Sequence, residues 1–220
     1  MFKQLIEKLK SPADAGEPFD AARFGDPLAL QTKWTPAKGG GASFRTHKLV
    51  KAGFDRVEFR ASAGARAFYL VFLVVGLALA GGFSFARFSA GGFGFDFETI
   101  MPIAMGLVFA VAGGCMLYYG TAPIVFDTRK GYFWKGRKAP DEVFDKRAIK
   151  HFAELEEIHA LQLLSEYCRG NKSSYYSYEL NLVLKDGSRI NVVDHGNRTR
   201  LREDAAVLAA LLDKPVWDAA

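Results

Sequence analysis

Two charge-free stretches decide the reading of this chain: Ala67–Ala86, AFYLVFLVVGLALAGGFSFA, and Thr99–Phe126, TIMPIAMGLVFAVAGGCMLYYGTAPIVF. The first runs for 20 residues between Arg66 and Arg87, the second for 28 between Glu98 and Asp127. A bilayer core about 30 Å thick takes roughly 20 apolar residues as helix, so each stretch is long enough to span. The short link between them makes the pair a transmembrane helical hairpin over residues 66–122, with spans near 67–86 and 100–120. Neither span carries Asp, Glu, Lys, Arg or His. Proton relays and ion paths need such residues, which argues against a pump or transporter acting alone.

Charge places the flanks. The first 66 residues hold 12 Lys/Arg against 7 Asp/Glu, and the chain from Asp127 onward holds 16 against 15. The link, by contrast, carries Arg87 against Asp96 and Glu98. Basic residues stay on the cytoplasmic side of short loops. Both termini are therefore expected in the cytoplasm, with the Gly/Phe-rich link outside. The net charge is +5 and the mean hydropathy +0.01. That surplus is too modest for a nucleic-acid binder, which shows a strong basic face, and it suits a flank beside anionic lipid. Cys115 falls in the second span and Cys168 in the soluble part, with no CxxC, so no disulfide is expected and a reducing compartment fits. No apolar run follows Met1–Lys10, so no signal peptide is read.

Small residues recur every four positions in both spans: Gly76, Ala80 and Ser84 in the first, Gly106, Ala110 and Gly114 in the second. Such spacing lets helix backbones approach closely. It serves either packing within the hairpin or docking onto another membrane protein. Pro102 is placed in the first turn of the second helix, and Pro123 marks the exit.

Outside the hairpin the chain divides into three parts. Residues 1–41 comprise an amphipathic N-terminal helix and a linker. Phe2, Leu5, Ile6 and Leu9 fall at helical spacing among Lys3, Lys8 and Lys10. That helix either lies on the membrane surface or packs on the domain. The linker, Ser11–Gly41, is rich in Pro and Gly, with partial order expected around Trp34. Residues 42–65 alternate as two strands, 44–50 and 55–61, joined by a turn containing Gly53. Residues 123–217 continue with strands 123–127, 131–135, 158–165, 176–184 and 188–193. Asp186-Gly187 between the last two is a strong hairpin signal. A helix follows over 199–212, with its apolar stripe on Leu201, Ala205, Leu208, Leu211 and Leu212 and Thr199 as N-cap. Lys214-Pro215 stops it.

Seven antiparallel strands closed by one C-terminal helix resemble the layout of pleckstrin-homology-like (PH-like) domains. The texture after the second span (IVFDTRKGYFWKG, LQLLSEY, YELNLVLKDGSRINVV, then a helix) is similar to that of bacterial membrane proteins carrying such a domain. The resemblance covers roughly residues 123–217 and rests on a strand pattern rather than a catalytic signature. It implies an α+β membrane protein: a two-helix transmembrane hairpin plus a cytoplasmic antiparallel PH-like β-barrel or sheet with a C-terminal helix. The hairpin would then be inserted between the second and third strands.

Candidate chemistry is sparse. His47, His151, His159 and His195 are the only histidines, none paired at i, i+4, so no metal site is read. No cofactor motif and no nucleophile elbow is present either. A membrane enzyme would have to build a site from His47, His151, His159 and Cys168. Arg129, Lys130, Lys135, Arg137 and Lys138 form a basic cluster after the second span, read as lipid head-group contacts or as a solvated hairpin tip. Arg198, Arg200 and Arg202 open the last helix, where positive charge opposes the helix dipole. They form a second candidate binding cluster, or else pair with Asp194, Glu203 and Asp204. The expectation is a non-enzymatic inner-membrane protein whose cytoplasmic domain binds a membrane or cytoplasmic protein partner as an assembly or regulatory factor. An anionic-lipid sensor, a toxin-immunity membrane protein and a homo-oligomer remain open, and no nucleic acid is expected.

Overall fold

The computed structural model describes residues 19–92, 94, 96–143, 149, 151–170 and 173–220. The amphipathic segment around Phe2–Leu9 lies outside them.

Two sheets share one core. The first has five strands in the order β1 (His47–Lys51), β2 (Arg56–Ala61), β3 (Ile124–Asp127), β4 (Tyr132–Lys135) and β5 (Phe152–Glu154), all antiparallel. The second has the spatial order β8 (Arg189–His195), β7 (Ser174–Leu184), β6 (Ile158–Arg169) and β9 (Val216–Ala219). Its β6–β9 pair is parallel, with Leu161 opposite Val216. That corrects a purely antiparallel expectation. The last strand was hidden because it is four residues long and directly follows Lys214-Pro215. The helix α4 (Arg198–Leu212) joins β8 to β9. It starts one residue earlier than read, and its N-cap is Asn197 rather than Thr199, whose place falls inside the helix. The Asn197 side chain accepts from the Arg200 N–H at 2.9 Å.

Alternation explains the core. Phe59 of β2, Phe126 of β3, Phe133 of β4, Leu161 and Leu163 of β6, and Leu180 and Leu182 of β7 all point inward. Leu201, Ala205 and Leu208 of α4 close one side. Each such Leu or Phe contributes about 1.5–3 kcal/mol by leaving water. The Asp186-Gly187 turn forms as its sequence requires: Gly187 takes φ +79° and the Asp186 carboxylate accepts from the Ser188 N–H at 2.8 Å.

The helices α2 (Ala63–Ser89) and α3 (Phe97–Gly120) leave and re-enter the first sheet between adjacent strands. The strands β2 and β3 pair from Arg56–Asp127 to Phe59–Ile124, so the helical pair is a long excursion at one end of a β-hairpin. At 1.5 Å per residue both helices exceed the roughly 30 Å of a bilayer core, and both are long and apolar enough to cross a membrane. Their outward faces are apolar and uncovered, with Val74 59%, Val108 67% and Val111 64% exposed. Helix α3 begins a turn earlier than read because Asp96 caps it, accepting from the Thr99 N–H at 2.9 Å. Pro102 therefore sits inside the helix rather than in its first turn. At the link end the Arg87 guanidinium donates to Thr99 Oγ1 at 2.8 and 3.0 Å.

From Phe19 onward, the segment read as a linker is an ordered strap. A short helix, α1 (Pro27–Gln31), capped by Asp26, leads to Trp34. Trp34 stacks on Phe24 at 5.2 Å and packs on Trp217 at 5.8 Å. Beneath them lie Ala160 and Val183, on the outer face of the second sheet. Burial on both faces explains why β7 and β6 carry few exposed side chains along their central stretches.

Candidate functional site

Two concave places stand out, at opposite ends of the first sheet. A cavity of about 520 Å³ lies at the base of the helical pair, where Tyr69 of α2 and Tyr119 of α3 meet β1, β4, β8 and the strap. Its polar wall is built on Asn191. The Asn191 amide donates to Asp194 Oδ1 at 2.8 Å and to Glu179 Oε1 at 2.9 Å, while its oxygen accepts from Lys135 Nζ at 3.3 Å. The strap closes over Glu179, whose carboxylate accepts from the Ala37 N–H at 2.9 and 3.0 Å and from the Lys38 N–H at 3.2 Å.

Burial sets the electrostatics here. It pushes the Lys135 ammonium down to about 8, against the opposing pull of Asp194 and Glu179. It also pushes the His47 imidazole down to about 4, with Lys135 and Lys38 adding to the effect. Burial raises Glu179 and Asp194, and hydrogen bonds from Asn191 hold both back. The wall therefore sets the Lys135 ammonium and the Glu179 and Asp194 carboxyls around an imidazole that is neutral at pH 7.

The second place is a groove of about 750 Å³ between the β1–β2 turn and the C-terminal half of α4, lined by Ala52, Phe54, Val57, Val207, Ala210 and Leu211. Phe54 at the turn is fully exposed, at 102%. The five residue steps of β2 from Arg56 to Ala61 put about 17 Å between this turn and the helix end of the sheet. The groove thus lies remote from the helix bases.

The basic residues that follow α3 do not form one cluster. Arg129 and Lys130 lie in the β3–β4 turn, at the end of the sheet remote from the helices. Lys130 pairs with Asp141 at 2.7 Å. Lys135 turns into the cavity. Arg137 caps α3: it donates to the Tyr118 carbonyl and to Thr121 Oγ1, each at 2.9 Å, and lies 5.2 Å from the Tyr118 ring. Lys138 is exposed. Strand direction separates these residues, because β3 carries the chain away from the helices and β4 brings it back.

The arginines of α4 are engaged within the fold. Arg200 pairs with Glu203 at 2.7 Å, and Arg202 with Asp218 at 2.6 Å. Arg198 donates to the Ala220 carbonyl. Asp204 pairs instead with Arg45 at 3.1 Å.

In the helical seam the structure brings Gly76, Ala80, Gly106 and Ala110 together. A Cβ on Gly76 would lie 2.2 Å from Ala110 N, and one on Gly106 2.5 Å from Ala80 N. Gly113, which the four-residue spacing missed, is equally tight, at 2.3 Å from Leu73 N. Gly114 has open space around its Cβ position. At 100° per residue, Gly113 sits 20° from Gly106 around the axis and Gly114 80° away. The seam of α3 therefore follows a 4-then-3 pattern rather than strict fours. Ser84 donates back to the Ala80 carbonyl at 2.7 Å within its own helix.

The residues of the enzymatic alternative are dispersed. His159 Nε2 meets Asp26 at 2.6 Å under the strap. Cys168 lies nine residues along the same strand, about 30 Å away, and His47 is at the cavity. Cys115 and Cys168 are free. Among the described residues no three His, Cys, Asp or Glu side chains converge as a metal site would need.

Comparison of the chain with protein families, curated proteins and solved structures gave no significant match.

Proposed function

We propose that this chain is a two-pass protein of a bacterial inner membrane, with both termini in the cytoplasm, and that its PH-like β-domain binds a protein partner without catalysing a reaction. Three features support the membrane placement: two helices of spanning length, apolar outward faces, and a tight glycine seam between them. Splicing the helices between paired neighbours β2 and β3 holds the domain rigidly beside the bilayer and points the β1–β2 turn into the cytoplasm.

The observation that carries partner binding is Phe54, fully exposed beside the apolar groove at that remote end. A wholly exposed aromatic side chain next to an apolar cleft suits an anchor for a partner. The test is photo-crosslinking of the full-length protein in cells, with a photoreactive residue at position 54 and a control at Lys130. The reading expects one protein adduct at position 54, absent at Lys130 and lost when Val207 and Leu211 are changed to Asp. Adducts of equal yield at both positions, or none at position 54, overturn it.

A further inference from the structure

The cavity at the helix base plays no part in partner binding at the remote end, and its two walls differ in kind. Tyr69 and Tyr119, from the ends of the two apolar helices, form the wall that faces them. Tyrosine favours the boundary between hydrocarbon and water. Lys135 and Asp194 face that wall, with Asn191 between them. Among the described residues the Asn191 oxygen is the one hydrogen-bond acceptor for Lys135 Nζ, so this cavity-lining ammonium has two further protons to donate. Asp194 uses Oδ1 for Asn191, and among the described residues its Oδ2 accepts no hydrogen bond. Lys38, on the strap, stands at the mouth.

These groups define a complement. A purely anionic ligand would meet Asp194 and, behind Asn191, Glu179. A purely cationic one would meet Lys135 and Lys38. A ligand carrying both signs satisfies the unused donor and the unused acceptor together. The volume falls within the range of about 300–1,000 Å³ common to small-ligand sites. The exposed apolar faces of α2 and α3 rise directly from the Tyr69 and Tyr119 wall and offer a path for acyl chains.

We propose that this cavity holds the head group of a zwitterionic phospholipid with a primary ammonium, its phosphodiester toward Lys135 and Lys38, its ammonium toward Asp194, and its acyl chains along α2 and α3. His47, neutral at pH 7 and held through Nδ1 by Thr46 Oγ1 at 3.0 Å, lines the cavity without adding charge. The head group ties the strap, both sheets and the helix bases into one unit.

This inference rests on the membrane placement proposed above, which alkaline carbonate extraction of membranes tests separately. The site itself is tested with full-length protein in nanodiscs of equal phosphatidylethanolamine, phosphatidylglycerol and phosphatidylcholine. Native mass spectrometry then counts the lipids that stay bound on release. One phosphatidylethanolamine per chain is expected. Lys135→Met and Asp194→Asn should each weaken its retention about tenfold, the scale of one charge-assisted hydrogen bond. Lys135→Arg should keep it, which separates loss of the site from loss of the fold, and Lys130→Ala should leave it unchanged. Equal retention of phosphatidylglycerol, or retention unchanged by both Lys135→Met and Asp194→Asn, overturns the proposal. So does binding of soluble glycerophosphoethanolamine by delipidated protein as tightly as the lipid, which would make the ligand a soluble ester.

Discussion

Replacing Gly106 with Leu should pry the two apolar helices apart, while the same change eight residues on, at Gly114, should leave them together. A Cβ on Gly106 falls 2.5 Å from Ala80 N and 2.8 Å from the Gly76 carbonyl oxygen. These are backbone atoms, so no side-chain rotation relieves the clash. Ordinary contact begins near 3.5 Å, so the axes must part by about 1 Å, and a gap of that size forfeits up to about half of each contact across the seam. In lipid, close packing is what holds such helices together. Overpacking costs about 1–3 kcal/mol, and a leucine against rigid backbone belongs at the top of that range, about 3 kcal/mol or a hundredfold in the association equilibrium. Gly114→Leu meets open space and should stay within about 0.5 kcal/mol of wild type. The assay is a reversible SDS titration in mixed micelles, read by energy transfer between dyes on cysteines placed at Ser89 and Glu98, both exposed at the link end. Equal shifts for the two variants, or a larger one for Gly114→Leu, would refute the seam.

Three further outcomes follow from the geometry. His195 is fully buried and burial pushes its imidazole down to about 4 from an ordinary 6.5. The unfolded chain then binds the proton more readily, so His195 removes stability as pH falls from about 6.5 to 4, by roughly 3 kcal/mol in all. His195→Gln should remove about half of that histidine slope in pH-dependent unfolding, His47 supplying the rest because burial pushes it down to about 4 as well, while the raised carboxyls Asp194, Glu179 and Asp204 keep their opposite slope; an unchanged wild-type slope would remove the assignment. Trp34→Ala should loosen the strap by about 3 kcal/mol, since it deletes the stack on Phe24 and the indole hydrogen bond to the Ala29 carbonyl at 2.9 Å. Limited proteolysis should then cut within residues 19–44 and leave the β-domain whole, whereas cleavage spread through the sheets would contradict this. Arg137→Ala should lower thermal stability by about 1 kcal/mol through the lost cap on α3, and Lys130→Ala, in an exposed ion pair, by less than about 0.5 kcal/mol.

Patterns with a short period were legible in the sequence. The charge-free runs locate α2 and α3, and Asp186-Gly187 locates the β7–β8 turn, because each depends on neighbours along the chain. What escaped depends on distant partners. The strap reads as a linker because its Pro and Gly residues break regular structure, yet Trp34 and Phe24 find Trp217 nearly 200 residues away. The five basic residues after α3 read as one cluster, and strand reversal sends Arg129 and Lys130 to one end and Lys135 and Arg137 to the other. The cavity draws on β1, β4, β8, the strap and both helices, so no local window contains it. Lys135, counted as a surface charge, is its half-buried donor. Gly113 was missed because fours were counted where a helical seam alternates fours and threes.

The most direct test of the account is cysteine accessibility in intact cells, with Cys115 and Cys168 replaced and single cysteines placed at Ala90 in the link or at Phe54 in the remote turn. A membrane-impermeant maleimide should label Ala90→Cys in intact cells and Phe54→Cys only after the inner membrane is opened. Labelling of Phe54→Cys in intact cells, or equal protection of both positions until lysis, would contradict a helical pair that crosses the bilayer with its β-domain in the cytoplasm.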